Sequence, residues 1–256
     1  MNRAEARERL GSSLEWICNT LWLAQRREPE LVQLQEDRGS TGFPHYILSR
    51  AGNIPAQDWV EALYVMPPSL VEHLRPRCLG LEPAQYLEAA LDAGAAALRR
   101  LHPHAQGTAL AELARSSQPD GELPRAWLEM PSDGDPHREL LWAAMTLREA
   151  RAYVHYQAAR AAGLQPLELL VLSAIWQGDD STPPQRLFRW GDDELVAARE
   201  SLGENGWLEE DGLLTPAGEE RRDAIEARTV AHTDRLLSHL PDAHLTELAA
   251  QLPDRA

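Results

Sequence analysis

With 256 residues and 43% hydrophobic side chains, the chain is long enough to bury one large core or two smaller ones. Its 40 acidic residues outnumber 25 basic ones, for a formal net charge of −15. That balance argues against nucleic acid and anionic membrane surfaces as partners, because both are held by clustered cations.

Every cation is an arginine, a bias that a GC-rich genome explains without any function. The two cysteines, Cys18 and Cys78, make neither a disulfide framework nor a metal quartet, so a reducing compartment is expected. The N-terminus, MNRAEARERL, has no apolar core and does not read as a signal peptide. The longest apolar run, near 169–176, is too short to span a bilayer. A soluble cytoplasmic protein follows as the expectation.

Helical periodicity dominates the chain. Residues 3–27 place Leu10, Leu14, Ile17, Leu21 and Ala24 on one face. Pro29 opens a short second helix, and 39–44 forms a loop. Residues 54–64 read as helix, stopped by Pro67-Pro68, and 70–74 resumes it. An Ala-rich helix runs from Pro83 to about Leu101 with Leu87, Leu91, Ala95 and Leu98 inward, and a shorter one covers 105–115.

Residues 116–136 hold four prolines and two glycines around one apolar anchor, Trp127. A connector at 119–136 is therefore predicted between an N-terminal helical lobe, 1–118, and a C-terminal lobe, 137–256. Both lobes are helix-rich and of similar size, which leaves an internal duplication, with a degenerate winged helix at the N-terminus, open.

A long helix starts after Pro136 and stops at Gly163, with Leu140, Leu141, Ala144 and Leu147 as its apolar face. Pro166 opens LELLVLSAIW, apolar nearly all round and so expected to be buried. After a loop over 178–184, Asp192 or Asp193 caps a helix that ends near Gly206. Two strand-like pieces, 207–209 and 213–214, are joined by an Asp211-Gly212 turn. Thr215 then caps, and Pro216 opens, a last long helix to about Leu240, followed by a tail helix over 243–252.

This is the order of recognition helix, wing and following helix in a MarR-like regulator. The fold class expected is mainly α, with two helix-rich lobes, the C-terminal one a winged-helix (MarR-like) unit with a small β-wing. Yet 190–220 carries ten carboxylates and one cation, Arg199. The architecture suggests a transcription factor, and the electrostatics argue against one.

The strongest candidate site lies on the helix 137–163. Arg148, Arg151 and His155 share a stripe at i, i+3, i+7, with Glu149 and Tyr153 paired at i, i+4 beside it. Two guanidiniums and an imidazole suit an anionic or enolic ligand, with His155 as acid–base. The competing reading is a solvated face of ordinary ion pairs. Tyr46 and Arg50, in HYILSRAG, make a second pair at helical spacing, which suits either one wall of a pocket or a helix-end surface pair.

Among eight tryptophans, Trp16, Trp22, Trp59, Trp142, Trp176 and Trp190 sit in apolar stretches and read mostly as core, although indoles also suit flat ligands. His102 and His104 flank a proline with no further metal ligands at a recognisable spacing. No phosphate loop, nucleophile elbow or metalloprotease motif is present, so no cofactor and no metal are implied.

The runs LREARAYVHYQAARAAGLQPLELLVLSA (147–174) and DGLLTPAGEERRDAIEART (211–229) resemble a family of actinobacterial helix-turn-helix or winged-helix proteins of MarR-like appearance, mostly uncharacterised. HYILSRAG is similar to that family's Tyr-x-x-x-Arg-Ala stretch, so the resemblance spans about 12–250. The family commonly reads L-R-E-H-R-G-D-G-H where this chain has 147–155, and Arg148, Glu149, Arg151 and His155 match. Ala152, Tyr153 and Val154 replace its Gly-Asp-Gly, which removes a carboxylate and fills space. Members often lie near specialised-metabolite gene clusters, a context that suits a regulator or a tailoring protein.

Three functional readings follow. The first is a winged-helix protein that binds a small anionic or enolic, aromatic-type molecule in a pocket between the lobes, with His155 doing acid–base work. The second is a MarR-like ligand-responsive regulator, whose DNA contacts would fall to Arg186, Arg189, Arg221, Arg222 and Arg228. The third, compatible with either, is a homodimer joined through the helix 216–240.

Overall fold

Apolar residues at three- and four-residue spacing drive this chain into helices, and prolines open several of them. The computed structural model describes residues 1–27, 29–37, 49–51, 54–78, 83–104, 107–130, 134–178, 189–238 and 240–252. Helices α1 (Arg3–Arg27), α2 (Pro29–Asp37), α3 (Trp59–Ala62), α4 (Pro68–Cys78), α5 (Pro83–Leu101) and α6 (Thr108–Ser116) come first. Helices α7 (Glu122–Leu128), α8 (Pro136–Ala161), α9 (Pro166–Gln177), α10 (Asp192–Glu204), α11 (Pro216–Leu236) and α12 (Asp242–Gln251) follow. Among the described residues no helix is both long and apolar enough to cross a membrane by itself.

The chain divides into two compact units, each discontinuous in sequence. The first comprises 1–56, 74–153 and 233–256; the second comprises 57–73 and 154–232. Residues 119–136 lie in the first unit, and they include α7, whose Trp127 is fully buried.

In the first unit, α1 buries Leu10, Leu14, Ile17, Leu21 and Ala24, the face that its spacing predicts. It packs against α5 and α12. Leu87, Leu91, Ala95 and Leu98 of α5 are buried, as are Leu140, Leu141, Ala144 and Leu147 of α8. Arginines of α1 clamp the end of the chain. Arg3 donates to the carbonyls of Leu237 and Leu240 and pairs with Asp242 at 2.6 Å. Arg7 makes a two-pronged contact with Asp234 at 2.8 Å, and Arg9 donates to the Ala249 carbonyl at 2.8 Å.

In the second unit, Leu164, Leu167, Leu169, Leu172, Leu202, Trp207 and Ile225 form one apolar core. The helix expected over 54–64 is a 3-10 turn, Ala56–Asp58, followed by the short α3. The reason is local: residues 63–66 turn away before Pro67, which cannot continue a helix. There the Tyr64 hydroxyl donates to the Leu164 carbonyl at 2.9 Å.

Helix α8 stops before Gly163, which takes a positive φ of 85°. Helix α9 is opened by a capping box in which the Gln165 N–H donates to Glu168 at 2.7 Å. The cap of α10 is Gly191 rather than Asp192 or Asp193: Glu194 reaches back and accepts from the Gly191 N–H at 2.8 Å. With that N–H satisfied from inside the helix, the two aspartates are left to favour the helix dipole in the first turn. Thr215 does cap α11, accepting from the Gly218 N–H at 2.8 Å.

Between α10 and α11 the expected β-wing is reduced. Among the described residues there is no strand, only one antiparallel bridge between Leu208 and Leu214 around the Asp211-Gly212 turn. Trp176, expected in the core, is 53% exposed at the end of α9. Its helix buries Leu167, Leu169, Val171 and Leu172 in the core and packs Leu170 and Ile175 against it half-buried, so the run is less uniformly buried than its composition predicts.

Gly121, just ahead of α7, has φ +92°, and a Cβ added there would stand 2.6–2.9 Å from ring carbons of Tyr153. Gly121→Ala should therefore lower stability by roughly 1–3 kcal/mol, from backbone strain and overpacking. Denaturant unfolding checks this; a variant as stable as the parent would refute the close packing of Tyr153 on Gly121.

Candidate functional site

A buried charge needs a partner of opposite sign, and the first unit contains such a pair drawn from distant sequence. Arg50 and Glu149, 99 residues apart, are 3% and 1% exposed. Arg50 Nε and Nη2 each lie 3.4 Å from a carboxylate oxygen of Glu149. Arg148, next along α8, donates through Nη1 to Glu149 at 2.7 Å and through Nε to both oxygens of Glu15 at 3.2 Å.

Two tryptophans hold this arrangement from behind. The Trp127 Nε1–H donates to the Arg50 carbonyl at 2.9 Å, and the Trp142 Nε1–H donates to the Trp127 carbonyl at 2.6 Å. Beside the pair is a cavity of about 10 Å³, roughly the room of one water molecule, lined by Cys18, Asn19, Ser49, Arg50, Met145 and Arg148.

Burial by itself would push the Glu149 carboxyl up. The charges of Arg50 and Arg148, with their hydrogen bonds, outweigh it and hold the group below its usual 4.5, so it is ionised. Burial pushes the Cys18 thiol well up, which leaves it neutral and a poor nucleophile.

The predicted stripe on α8 does not act as one group. Arg148 and Glu149 join Arg50. Arg151 lies on the exposed surface, and Tyr153 packs its half-buried ring on Gly121. Tyr46, with His45, lies outside the described residues. Glu149 braces Arg50 and Arg148, where the sequence spacing pairs it with Tyr153.

His155 belongs to the second unit and to a different cluster. Its Nδ1 lies 3.3 Å from Thr229 Oγ1 and 3.4 Å from Glu226 Oε1. The Thr229 hydroxyl spends its one proton on the Ile225 carbonyl, at 3.0 Å. It can then only accept from His155, and so can an ionised Glu226. Nδ1 therefore carries the proton of the neutral ring, and Nε2 is the basic nitrogen. Glu226 also meets Arg222 at 2.9 Å, and the Arg222 guanidinium stacks 4.5 Å over Trp176.

Glu15 and Ser49 in one cluster, and Thr229 and Glu226 in the other, escaped the sequence reading, which met Cys18 only as a thiol and Arg222 only as a DNA contact. Their contacts cross 133 and 74 residues in the cases of Glu15–Arg148 and His155–Thr229, and no local spacing announces such pairs. Among the described residues no group of His, Cys, Asp or Glu is arranged to hold a metal ion.

The profile of a helix-turn-helix family matches residues 9–255. The chain belongs to this helix-turn-helix family. No curated protein and no solved structure matches it.

Helices α9 and α10, the pair that the sequence order suggests for the motif, pack on each other in the second unit. Ser201 of α10 donates to Glu168 of α9 at 2.6 Å. Ala198 and Leu202 of α10 are buried, while Asp192, Asp193, Glu194, Arg199, Glu200 and Glu204 are exposed. The cations expected to compensate are partly committed to the fold. Arg221 stacks 4.2 Å over Trp207 and donates to the Gly206 carbonyl at 2.6 Å, and Arg222 is buried. Arg189 and Arg228 are exposed, and Arg186 lies outside the described residues.

Two outcomes follow. Glu149 has its pKa lowered by folding, so its stabilising contribution is present at neutral pH and is lost as pH falls through and below 4.5. Glu149→Gln should cost roughly 3–5 kcal/mol at pH 7 by leaving Arg50 uncompensated. It should also flatten the acid limb of stability against pH in urea unfolding, and an unchanged acid limb would count against the pairing. Long-range ¹H–¹⁵N correlation should show the neutral ring of His155 protonated at Nδ1; an Nε2–H ring would overturn the donor assignment at Thr229.

Proposed function

We propose that this helix-turn-helix family member binds a small anionic or enolic molecule and does not read DNA. The observation that carries the proposal is Arg50: a guanidinium withdrawn from water, held by Glu149 and lining a cavity together with Arg148. Burying a charge is costly and contributes little net stability, so a fold that retains one beside a cavity suits ligand recognition better than structural support.

The order α9, α10, turn and α11 agrees with a MarR-like winged helix whose wing has shrunk to one bridge. Its α10, in the place of a recognition helix, presents carboxylates on its exposed face. Phosphate contact there would replace counterion release by repulsion.

A second reading, acid–base catalysis, is favoured by the His155 geometry. An imidazole oriented through Nδ1 by Thr229 and Glu226 has its ring fixed in one tautomer, as acid–base work requires. The regulator reading rests on family membership itself.

Fluorescence anisotropy with random duplex DNA at low salt separates these. The proposal expects no saturable, salt-sensitive binding in the range of about 10⁻⁴–10⁻⁶ M typical of nonspecific association. Salt-sensitive binding in that range would overturn it in favour of the regulator.

A further inference from the structure

We infer that the ligand of the Arg50–Arg148 cavity is a monocarboxylate with an apolar body, and that its carboxylate takes the place of Glu15 on Arg148. This rests on the ligand-binding reading of the cavity given above.

The argument begins with which contacts can be exchanged. Arg148 holds two carboxylates of unequal standing. Glu149, 1% exposed, also compensates Arg50 and has nowhere else to go. Glu15 is 51% exposed, its two contacts are longer at 3.2 Å, and on rotation it regains water at little cost. The Nε side of Arg148 is thus a donor edge with a replaceable acceptor, and a guanidinium presents that edge in the geometry a carboxylate accepts.

Charge selects the class. Among the described residues Arg50 and Arg148 are paired with Glu149 and Glu15, and exchanging Glu15 for another monoanion keeps the charge that faces Arg148 the same. A phosphate dianion would add a negative charge beside Glu149, which is ionised and out of water, where repulsion is poorly screened. A neutral amide would leave Arg148 with a weaker acceptor than the one it lost.

Size and shape select the body. The cavity has room for about one water molecule, enough for a head-group oxygen and no more. The rest of the ligand then lies outside the cavity, beside α1, which supplies Cys18, Asn19 and Leu21 to its lining. Glu15, Asn19 and Leu23 follow one another at i, i+4, i+8 on that helix, which places them on one stripe. Asn19 lines the cavity, and Leu23 is an exposed apolar side chain, 39% accessible, in line with it. A carboxylate headed into the cavity can lay an apolar chain toward Leu23.

The test is isothermal titration of the full-length protein with hexanoate, acetate, hexanamide, inorganic phosphate and a 1,3-diketone as probes. The parent, Arg148→Gln and Glu15→Gln are compared, with circular dichroism as a check of folding. Hexanoate should bind more tightly than acetate, and hexanamide and phosphate should bind weakly or not at all. Arg148→Gln should weaken hexanoate roughly tenfold or more, the loss typical of one charge-assisted contact. Glu15→Gln, at a half-exposed position that tolerates change, should tighten hexanoate severalfold by removing its competitor.

Phosphate or the diketone binding as well as hexanoate, with Arg148→Gln weakening it, would overturn the carboxylate assignment and leave the cavity a ligand site. Weaker hexanoate binding in Glu15→Gln would likewise overturn the exchange. No Arg148-dependent binding of any probe would overturn both the assignment and the ligand-binding reading beneath it.

Discussion

The ion pair between Arg50 and Glu149 organises the first unit, because neither charge can be left alone once it is out of water. A buried guanidinium without its carboxylate is among the costliest defects a core can carry, so every element that presents one of these groups is held to the other. The segment 49–51 supplies Arg50, and α8 supplies both Glu149 and Arg148. Helix α7 supplies Trp127, whose indole holds the Arg50 backbone, and Trp142 of α8 holds the Trp127 backbone in turn. The part of the proline- and glycine-rich stretch over 117–130 is thereby built around a fully buried tryptophan. The small cavity beside the pair is lined by both Arg50 and Arg148.

The second unit is built on different physics. Its interior is apolar and its helix ends are closed by their own side chains: Gln165 with Glu168 at α9, Glu194 at α10 and Thr215 at α11. Arg221 serves the same end, covering Trp207 and bonding the carbonyls that follow α10. Cations used in this way are withdrawn from any surface role. What remains on α10 and the turn after it is mostly carboxylate, so the local field there is negative. Membership of a helix-turn-helix family describes the frame; the charges decide what the frame can meet.

Much of the local structure was legible in the sequence, because helices are announced by the spacing of a few residues. The inward faces of α1, α5 and α8, the stop at Gly163 and the cap at Thr215 all depend on neighbours within one or two turns. The reading failed at a helix cap, at the wing and at one tryptophan. The cap of α10 moved to Gly191 because Glu194 could satisfy its N–H from inside the helix. The expected wing shortened to one bridge, and Trp176 stayed at the surface although its helix is strongly apolar. Arg148, Arg151 and His155 share a helical stripe by spacing, yet their neighbours differ, and neighbours determine what a charge does.

The sequence by itself determined that this chain is helical, where several of its helices begin and end, and that 190–220 is acidic. Those properties follow from periodicity, capping residues and charge count, all of which are local or additive. Only the tertiary structure decided which charges meet: Arg50 with Glu149, Arg148 with Glu15, His155 with Thr229 and Glu226. The reason is that a side chain's partner across scores of residues is set by how whole helices pack, and packing is a property of the entire chain that no short pattern encodes.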